Sequence, residues 1–280
     1  MAAALDPGRF DSTVPHYVAH RLRYPPELLR LTLAQLGLTP GVRVLDLGCG
    51  PGFLANGYAL MGCPAVGIDP SEAMLVAARA EAAAMSVAVD YRLGSSLDLD
   101  GLDERFDLVV MGRSFHWMER AATLRALDRI VAPGGAVVLY YDRHIRSTEN
   151  APITAADRVR EKFGLTGKGE RQRPAGALVP DETIFLDSAF PRLLRLGLVA
   201  RLPVSVDALV GRSLSTSFTS PEALGERRPE FEAELRKRFA ALNPDGQFTE
   251  LVEFTAMIAR RREWPGDAKD HLPDENPQTP

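Results

Sequence analysis

From residue 42 onward, short apolar runs alternate with stretches of helical character. Val42 to Leu47 is a β-branched and leucine run that ends in a glycine cluster at Gly48, Gly50 and Gly52. Phe53 to Met61 reads as a helix closed near Gly62, and Ala65 to Ile68 as a second strand ending at Asp69. Ser71 is a suitable N-cap, Glu72 suits the positive end of the helix dipole, and an alanine-rich helix runs to about Met85. Val87 to Leu93, Phe106 to Met111 and Ala136 to Tyr141 predict three more strands. A helix over Thr123 to Val131 precedes the last of these and stops at the turn Pro133-Gly134-Gly135. Continuous apolar strands between helices predict a Rossmann-like, doubly wound, mostly parallel α/β sheet, with ligands beyond the carboxyl ends of its strands.

Outside that core the pattern is looser. Pro25 and Pro26 open a helix to about Leu36, so residues 1–36 form a front segment. Residues 164–180 read as a Gly, Pro and Arg-rich loop. Leu193 to Leu202 and Phe248 to Ile258 are strand candidates, and Pro229 to Leu242 is an amphipathic helix ended by the turn Asn243-Pro244-Asp245-Gly246. These divide the chain into the front segment, a main domain over 37–262 with an additional region at about 145–245, and a tail over 263–280. The tail has four prolines and no periodicity, and is expected to be disordered.

Composition narrows the function classes. The 280 residues carry a net charge of −4, which argues against a general nucleic-acid binder. The last 18 residues alone hold five acids against one base, whereas residues 143–262 hold 20 basic against 16 acidic side chains. No apolar run reaches the ~18 residues of a membrane span. Met1 to Phe10 shows no secretory pattern, and two cysteines make no disulfide framework, so a cytoplasmic protein is expected. The basic clusters Arg227-Arg228, Arg236-Lys237-Arg238 and Arg260-Arg261-Arg262 lie near Glu226, Glu230, Glu232 and Glu234 and read as salt-bridged, solvated faces. No zinc-ligand spacing appears, and no metal is expected.

The stretch Asp46-Leu47-Gly48-Cys49-Gly50-Pro51-Gly52 carries the chemistry. Glycines after a first strand turn the chain tightly and bring backbone N–H groups against a ligand at a helix N-terminus. The spacing G-x-G-x-G differs from the dinucleotide fingerprint, which would need glycine at Phe53. Asp69 ends the second strand, where an acid can accept hydrogen bonds from ribose hydroxyls. Together these point to a nucleoside-bearing ligand.

At these residues the chain resembles the class I methyltransferases that use S-adenosylmethionine (SAM), in the small-molecule branch that includes trans-aconitate methyltransferase-like enzymes. Asp46-x-Gly48-x-Gly50-x-Gly52 matches the first motif and Gly67-Ile68-Asp69-Pro70-Ser71 the second. Phe106 to Val110 with His116-Trp117, and Leu127 through Gly135, resemble later ones. The resemblance implies a methyl transfer to a small-molecule acceptor, with S-adenosylhomocysteine (SAH) as product. It implies that Asp46, Gly48, Cys49, Gly50 and Gly52 hold the methionine part, and that Asp69 and Pro70 lie at the ribose. The family's acid after strand three is here Ser95, in Ser95-Ser96-Leu97, with Asp98 as a substitute contact for adenine. It also implies that residues 1–36 fold over the site as a lid and that about 145–245 shapes the substrate pocket. Alternatives are a SAM-fold enzyme with non-methyl, cyclase-like chemistry and a non-catalytic SAM-binding protein.

Methyl transfer is an in-line displacement by an activated donor, so alignment supplies much of the rate and a base is needed only for a protonated nucleophile. The candidate bases are His116, after the fourth strand, and His144, after the fifth. Either can instead be a pocket wall or a loop residue. Arg113 can contact cofactor or clamp a substrate carboxylate, or simply pair with an acid such as Asp142. Tyr17, beside His16, and Trp117 are candidates to position substrate, or to pack. The basic excess of the second half favours an anionic acceptor.

Overall fold

The computed structural model describes residues 11–165 and 179–262. The first ten residues, most of the loop expected at 164–180 and the acidic tail lie outside them.

The described chain opens with α1 (Val14–His20) and α2 (Pro26–Leu36). Pro26 starts α2, and Gly37 ends it in the left-handed conformation, with its N–H on the carbonyls of Leu33 and Ala34. Its apolar stripe of Leu28, Leu29, Leu33 and Leu36 is buried. Within the front segment α2 belongs to the core, and Leu22 and Tyr24 before it are buried in the same cluster.

The alternation read from the sequence follows as β1 (Val44–Leu47), α3 (Phe53–Leu60), β2 (Ala65–Asp69), α4 (Glu72–Ala84), β3 (Val89–Leu93), β4 (Phe106–Gly112), α5 (Arg120–Ile130) and β5 (Val131–His144). Every residue of β1 and β2 is buried, as expected for strands covered on both faces. The Ser71 hydroxyl accepts the Met74 N–H at 3.2 Å, capping α4. Four further helices, α6 (Ala151–Lys162), α7 (Asp181–Leu186), α8 (Val206–Ser213) and α9 (Pro221–Leu224), fall in stretches with no clear apolar period. The remaining elements are β6 (Arg192–Ser205), α10 (Arg228–Leu242) and β7 (Gln247–Arg260).

The seven strands form one sheet in the order β3-β2-β1-β4-β5-β7-β6. β1, β2, β3, β4 and β5 pair in parallel, and β7 enters antiparallel between β5 and β6. The order reverses between β1 and β4, which opens a crevice at their carboxyl ends. β7 meets the last residue of β5, His144, at Val252, yet pairs with β6 on to Gln247. The two-stranded ribbon thus continues past the carboxyl edge. On it sits a separate apolar cluster built from α6, α8, α9 and α10, with Phe231, Leu235 and Phe239 fully buried. The other two clusters cover the two faces of the sheet.

Four arginines of the basic clusters form ion pairs. Arg228 meets Glu232, Arg238 meets Glu234, Arg236 meets Asp207, and Arg261 meets Asp128.

Candidate cofactor and acceptor site

The loop after β1 folds by three left-handed glycines, Gly48, Gly50 and Gly52, with φ of 69°, 53° and 78°. Two of them are also confined by neighbours. A Cβ on Gly48 would stand 2.5 Å from Ser114 Cβ, and one on Gly52 would stand 2.0 Å from the Tyr91 hydroxyl. Gly50 faces open space. Replacing Gly48 with Ala should therefore cost about 2–4 kcal/mol, combining a left-handed Cβ with overpacking. Gly50→Ala should cost about 1–2 kcal/mol from the backbone alone. Thermal melts of the two variants check this, and equal losses would refute the steric reading.

Asp69 governs the loop's shape. Its Oδ2 accepts the Gly50 N–H at 2.8 Å and its Oδ1 the Ser71 N–H at 3.0 Å. Burial pushes its carboxyl upward against the opposing pull of those two amides. Each carboxylate oxygen keeps a second acceptor position.

Asp46 is buried beneath the loop. Its Oδ2 accepts the Ala55 N–H at 3.0 Å, while its Oδ1 has no hydrogen-bond partner among the described residues. Burial pushes its carboxyl up to about 7; the Ala55 N–H opposes this and the charge of Asp69 adds to it. Beside it, Tyr91 donates to Asn56 Oδ1 at 2.8 Å, and Asn56 Nδ2 is likewise buried without a partner. A cradle of glycines with an orphaned acceptor and an orphaned donor beneath it suits a small zwitterionic or nucleoside-bearing ligand. Gly94 N–H donates to the Asp69 carbonyl at 3.1 Å, which brings the loop after β3 alongside. There the Ser95 hydroxyl donates to Asp98 at 2.9 Å and Leu97 stands exposed.

The turn after β4 closes another side. Ser114 donates to the Leu47 carbonyl at 2.7 Å, and Met118 reaches 3.3 Å from a Cβ built on Gly48. His116 and Trp117 lie on this turn with ring centroids 4.9 Å apart. Tyr17 of α1 reaches the site from the front segment, its ring 6.1 Å from that of Phe53, the residue following Gly52. The Ser71 hydroxyl donates to Asp11 at 3.0 Å, a second tie between the front segment and the loop after β2.

Two sequence candidates sit in networks of their own. Arg113 ion-pairs with Asp142, donates to the Leu22 carbonyl at 2.7 Å and stacks over Tyr24 at 4.6 Å. Its guanidinium braces the front segment. His144 holds Glu250 through Nε2 at 2.7 Å, and Arg212 pairs with the same carboxylate while donating to the His20 carbonyl at 3.1 Å. Burial pushes the Glu250 carboxyl up, but His144 and Arg212 outweigh it and hold it below its ordinary range. His144 is thereby linked to the front segment and to α8.

The fold thus gathers the glycine loop, Asp69, Pro70, the Ser95–Asp98 turn, His116, Trp117 and Tyr17 at one edge. It keeps Arg113 and His144 in bracing networks beside them. Asn56, Tyr91, Ser114 and Asp11 belong to the same neighbourhood and were not singled out from the sequence. For Tyr91, the only hint was that a large ring in β3 needs small residues beside it, and Gly52 and Gly67 supply them. Among the described residues there is no cluster of acids, histidines and cysteines that could hold a metal ion, and no helix long and apolar enough to cross a membrane.

Residues 44–135, which hold the glycine loop and the acid-ended second strand, match the family model described as "Methyltransferase domain". The chain is similar to curated relatives named ubiquinone biosynthesis O-methyltransferase. One, from Alkalilimnicola ehrlichii, is 43% identical over 105 residues, which are 37% of this chain and 42% of the relative. Another, from Azorhizobium caulinodans, is 37% identical over 100 residues, covering 35% of this chain and 40% of the relative. The chain spans well under half the length of these relatives. A solved structure described as a putative type II methyltransferase from Anaeromyxobacter dehalogenans shares the fold with a TM-score of 0.59 at 22% identity, over 87% of this chain and 98% of the other.

Proposed function

We propose that the chain transfers a methyl group from SAM to a small-molecule acceptor. The observation that carries this reading is the loop itself: three left-handed glycines over the orphaned Oδ1 of Asp46, next to Asp69, in a methyltransferase domain. SAM, when bound, supplies a methyl group already activated on a sulfonium. Asp46 Oδ1 is the acceptor for the donor's ammonium group, and the spare acceptor positions of Asp69 serve the ribose hydroxyls. Gly48, Cys49, Gly50 and Gly52 offer backbone to the methionine part. Pro70 packs at the ribose, and Ser95, Ser96, Leu97 and Asp98 border the adenine.

Of the two histidines, His116 is the better base. It sits on the turn that packs against Gly48, whereas His144 already shares its Nε2 with a buried carboxylate. Tyr17 and Trp117 line the acceptor side, and Arg113 acts by bracing the front segment. The relatives' names make an oxygen acceptor a sensible first assay, since a hydroxyl nucleophile must lose its proton. We place the activity in the cytoplasm, a reading supported by two free, buried thiols.

Calorimetry with SAM and with SAH tests the reading directly, and binding of neither would overturn it. Mass spectrometry of the acceptor then separates methyl transfer from cyclase-like or non-catalytic SAM binding, because only the first adds a methyl. In a turnover assay with a hydroxyl acceptor, His116→Ala should lower kcat by about 100-fold or more with SAM affinity unchanged. His144→Ala should instead lower thermal stability and affect kcat less. Unchanged turnover in both would leave alignment as the whole mechanism.

A further inference from the structure

No residue of α1 is fully buried, so insertion into the core does not hold this helix in place. Its carboxyl end is held by α8, and the fit there is specific. Gly211 lies inside α8, where glycine weakens a helix relative to alanine. Its backbone has no positive φ, so conformation does not call for a glycine. The His20 ring does. A Cβ built on Gly211 would stand 2.0 Å from Cδ2 and 2.3 Å from Nε2 of that ring. The last residue of α1 is thus seated in a notch that any larger residue at 211 would fill.

The next residue of α8 grips the backbone. Arg212 donates from Nε to the His20 carbonyl at 3.1 Å, one of the carbonyls that the end of a helix leaves without an internal partner. Its Nη1 pairs with the buried Glu250, which His144 also holds, so the guanidinium has little freedom to turn. Just past α8, the Ser215 hydroxyl lies 3.5 Å from Arg21 Nη1. Arg21 stacks over Tyr17 at 5.4 Å, and the Tyr17 and Phe53 ring centroids are 6.1 Å apart. A line of contacts therefore runs from α8 through the end of α1 to the residue that follows Gly52.

We propose that Gly211 and Arg212 are positioning residues for the donor site: they seat the carboxyl end of α1 and thereby set Tyr17 beside Phe53, at the end of the glycine loop, where it slows the donor's escape. This rests on the methyl-transfer reading. Both residues act through α1 rather than by touching the ligand.

The test is a double-mutant cycle on the full chain, with Gly211→Ala, His20→Ala and the two together. Hydrogen exchange over residues 11–24 reads the seating of α1, and release of radiolabelled SAH reads the retention of ligand. Gly211→Ala should speed exchange by at least about tenfold and SAH release by at least about fivefold. In the His20→Ala background no ring stands in the way, so the same substitution should change both by less than about twofold. That background also guards against a folding defect. Arg212→Lys keeps a charge for Glu250 but lacks the second, fixed donor, so it should speed exchange and release alike. His20→Ala should not rescue it, because the lost bond is to a backbone carbonyl. Equal effects of Gly211→Ala in both backgrounds, or none in either, would overturn the proposal. So would faster exchange with unchanged SAH release. If the wild type binds no SAH, the methyl-transfer reading falls, and exchange still decides whether Gly211 and Arg212 seat α1.

Discussion

Asp69→Ala is expected to weaken SAM and SAH binding by about two to three orders of magnitude. The carboxylate does two jobs at once. It fixes the loop by accepting the Gly50 and Ser71 N–H groups at 2.8 and 3.0 Å, and on the proposed reading its spare acceptor positions serve the ribose. Each charge-assisted bond contributes about 1.5–3 kcal/mol, so losing the ligand contacts and the loop's shape together gives an effect of that size. Asp69→Asn, which can still accept one amide, should fall between. Asp98→Asn, at an exposed carboxylate, should change affinity by less than about tenfold. Calorimetry on all three decides the matter, and an Asp69→Ala protein that binds SAH like the wild type would remove the central premise.

The second large effect concerns Asp46 and pH. Its carboxyl, ordinarily near 3.8, is pushed up to about 7 by burial. The folded protein therefore holds this proton more tightly than the unfolded chain does. The stability the proton supports is present below pH 4 and is lost as the pH rises toward 7, with no further loss above. At about 1.4 kcal/mol per pKa unit, the loss approaches ~4 kcal/mol. Asp46→Asn keeps an acceptor for the Ala55 N–H and cannot ionise, so it should flatten that slope in the ligand-free protein. The difference in melting temperature between wild type and variant, followed from pH 4 to 8, isolates this group from the histidines. Saturation with SAH should flatten the wild-type slope as well, because on the proposed reading the ligand's ammonium compensates the buried carboxylate. Identical pH profiles for the ligand-free wild type and variant would show that Asp46 is ionised without cost and would refute the orphaned-acceptor account.

Much of the cofactor half was legible because its signals are local. A glycine at positive φ, a serine N-cap and a fully buried strand each act within a few residues, and the 42–142 segment is built from such units. The C-terminal part was less legible. Ser205 and Ser220 cap α8 and α9 through the N–H groups of Ala208 and Ala223, a signal that was present but weak without an apolar period beside it. The direction of β7 could not be read at all, since alternation looks the same in either direction and only the pairing with β5 and β6 settles it.

The asymmetry of charge along the chain shows the same division. In the basic stretch 143–262, arginines form surface pairs such as Arg236–Asp207 and Arg238–Glu234, and Arg212 goes to Glu250. Of the roles the sequence leaves open to Arg113, the structure shows the pair with Asp142, joined by a bond to the Leu22 carbonyl.

By itself the sequence determined the alternating strands and helices, the glycine loop and the acid ending β2, because each follows from steric and hydrogen-bonding preferences within a short window. Only the tertiary structure decided which distant groups meet. Gly52 needs its missing side chain because Tyr91 stands there, Asp46 keeps an unpaired oxygen because no donor of the described residues reaches it, and Arg113 meets the Leu22 carbonyl from 91 positions away. Those encounters depend on how packed elements exclude solvent and bring chains together, and no local preference encodes them.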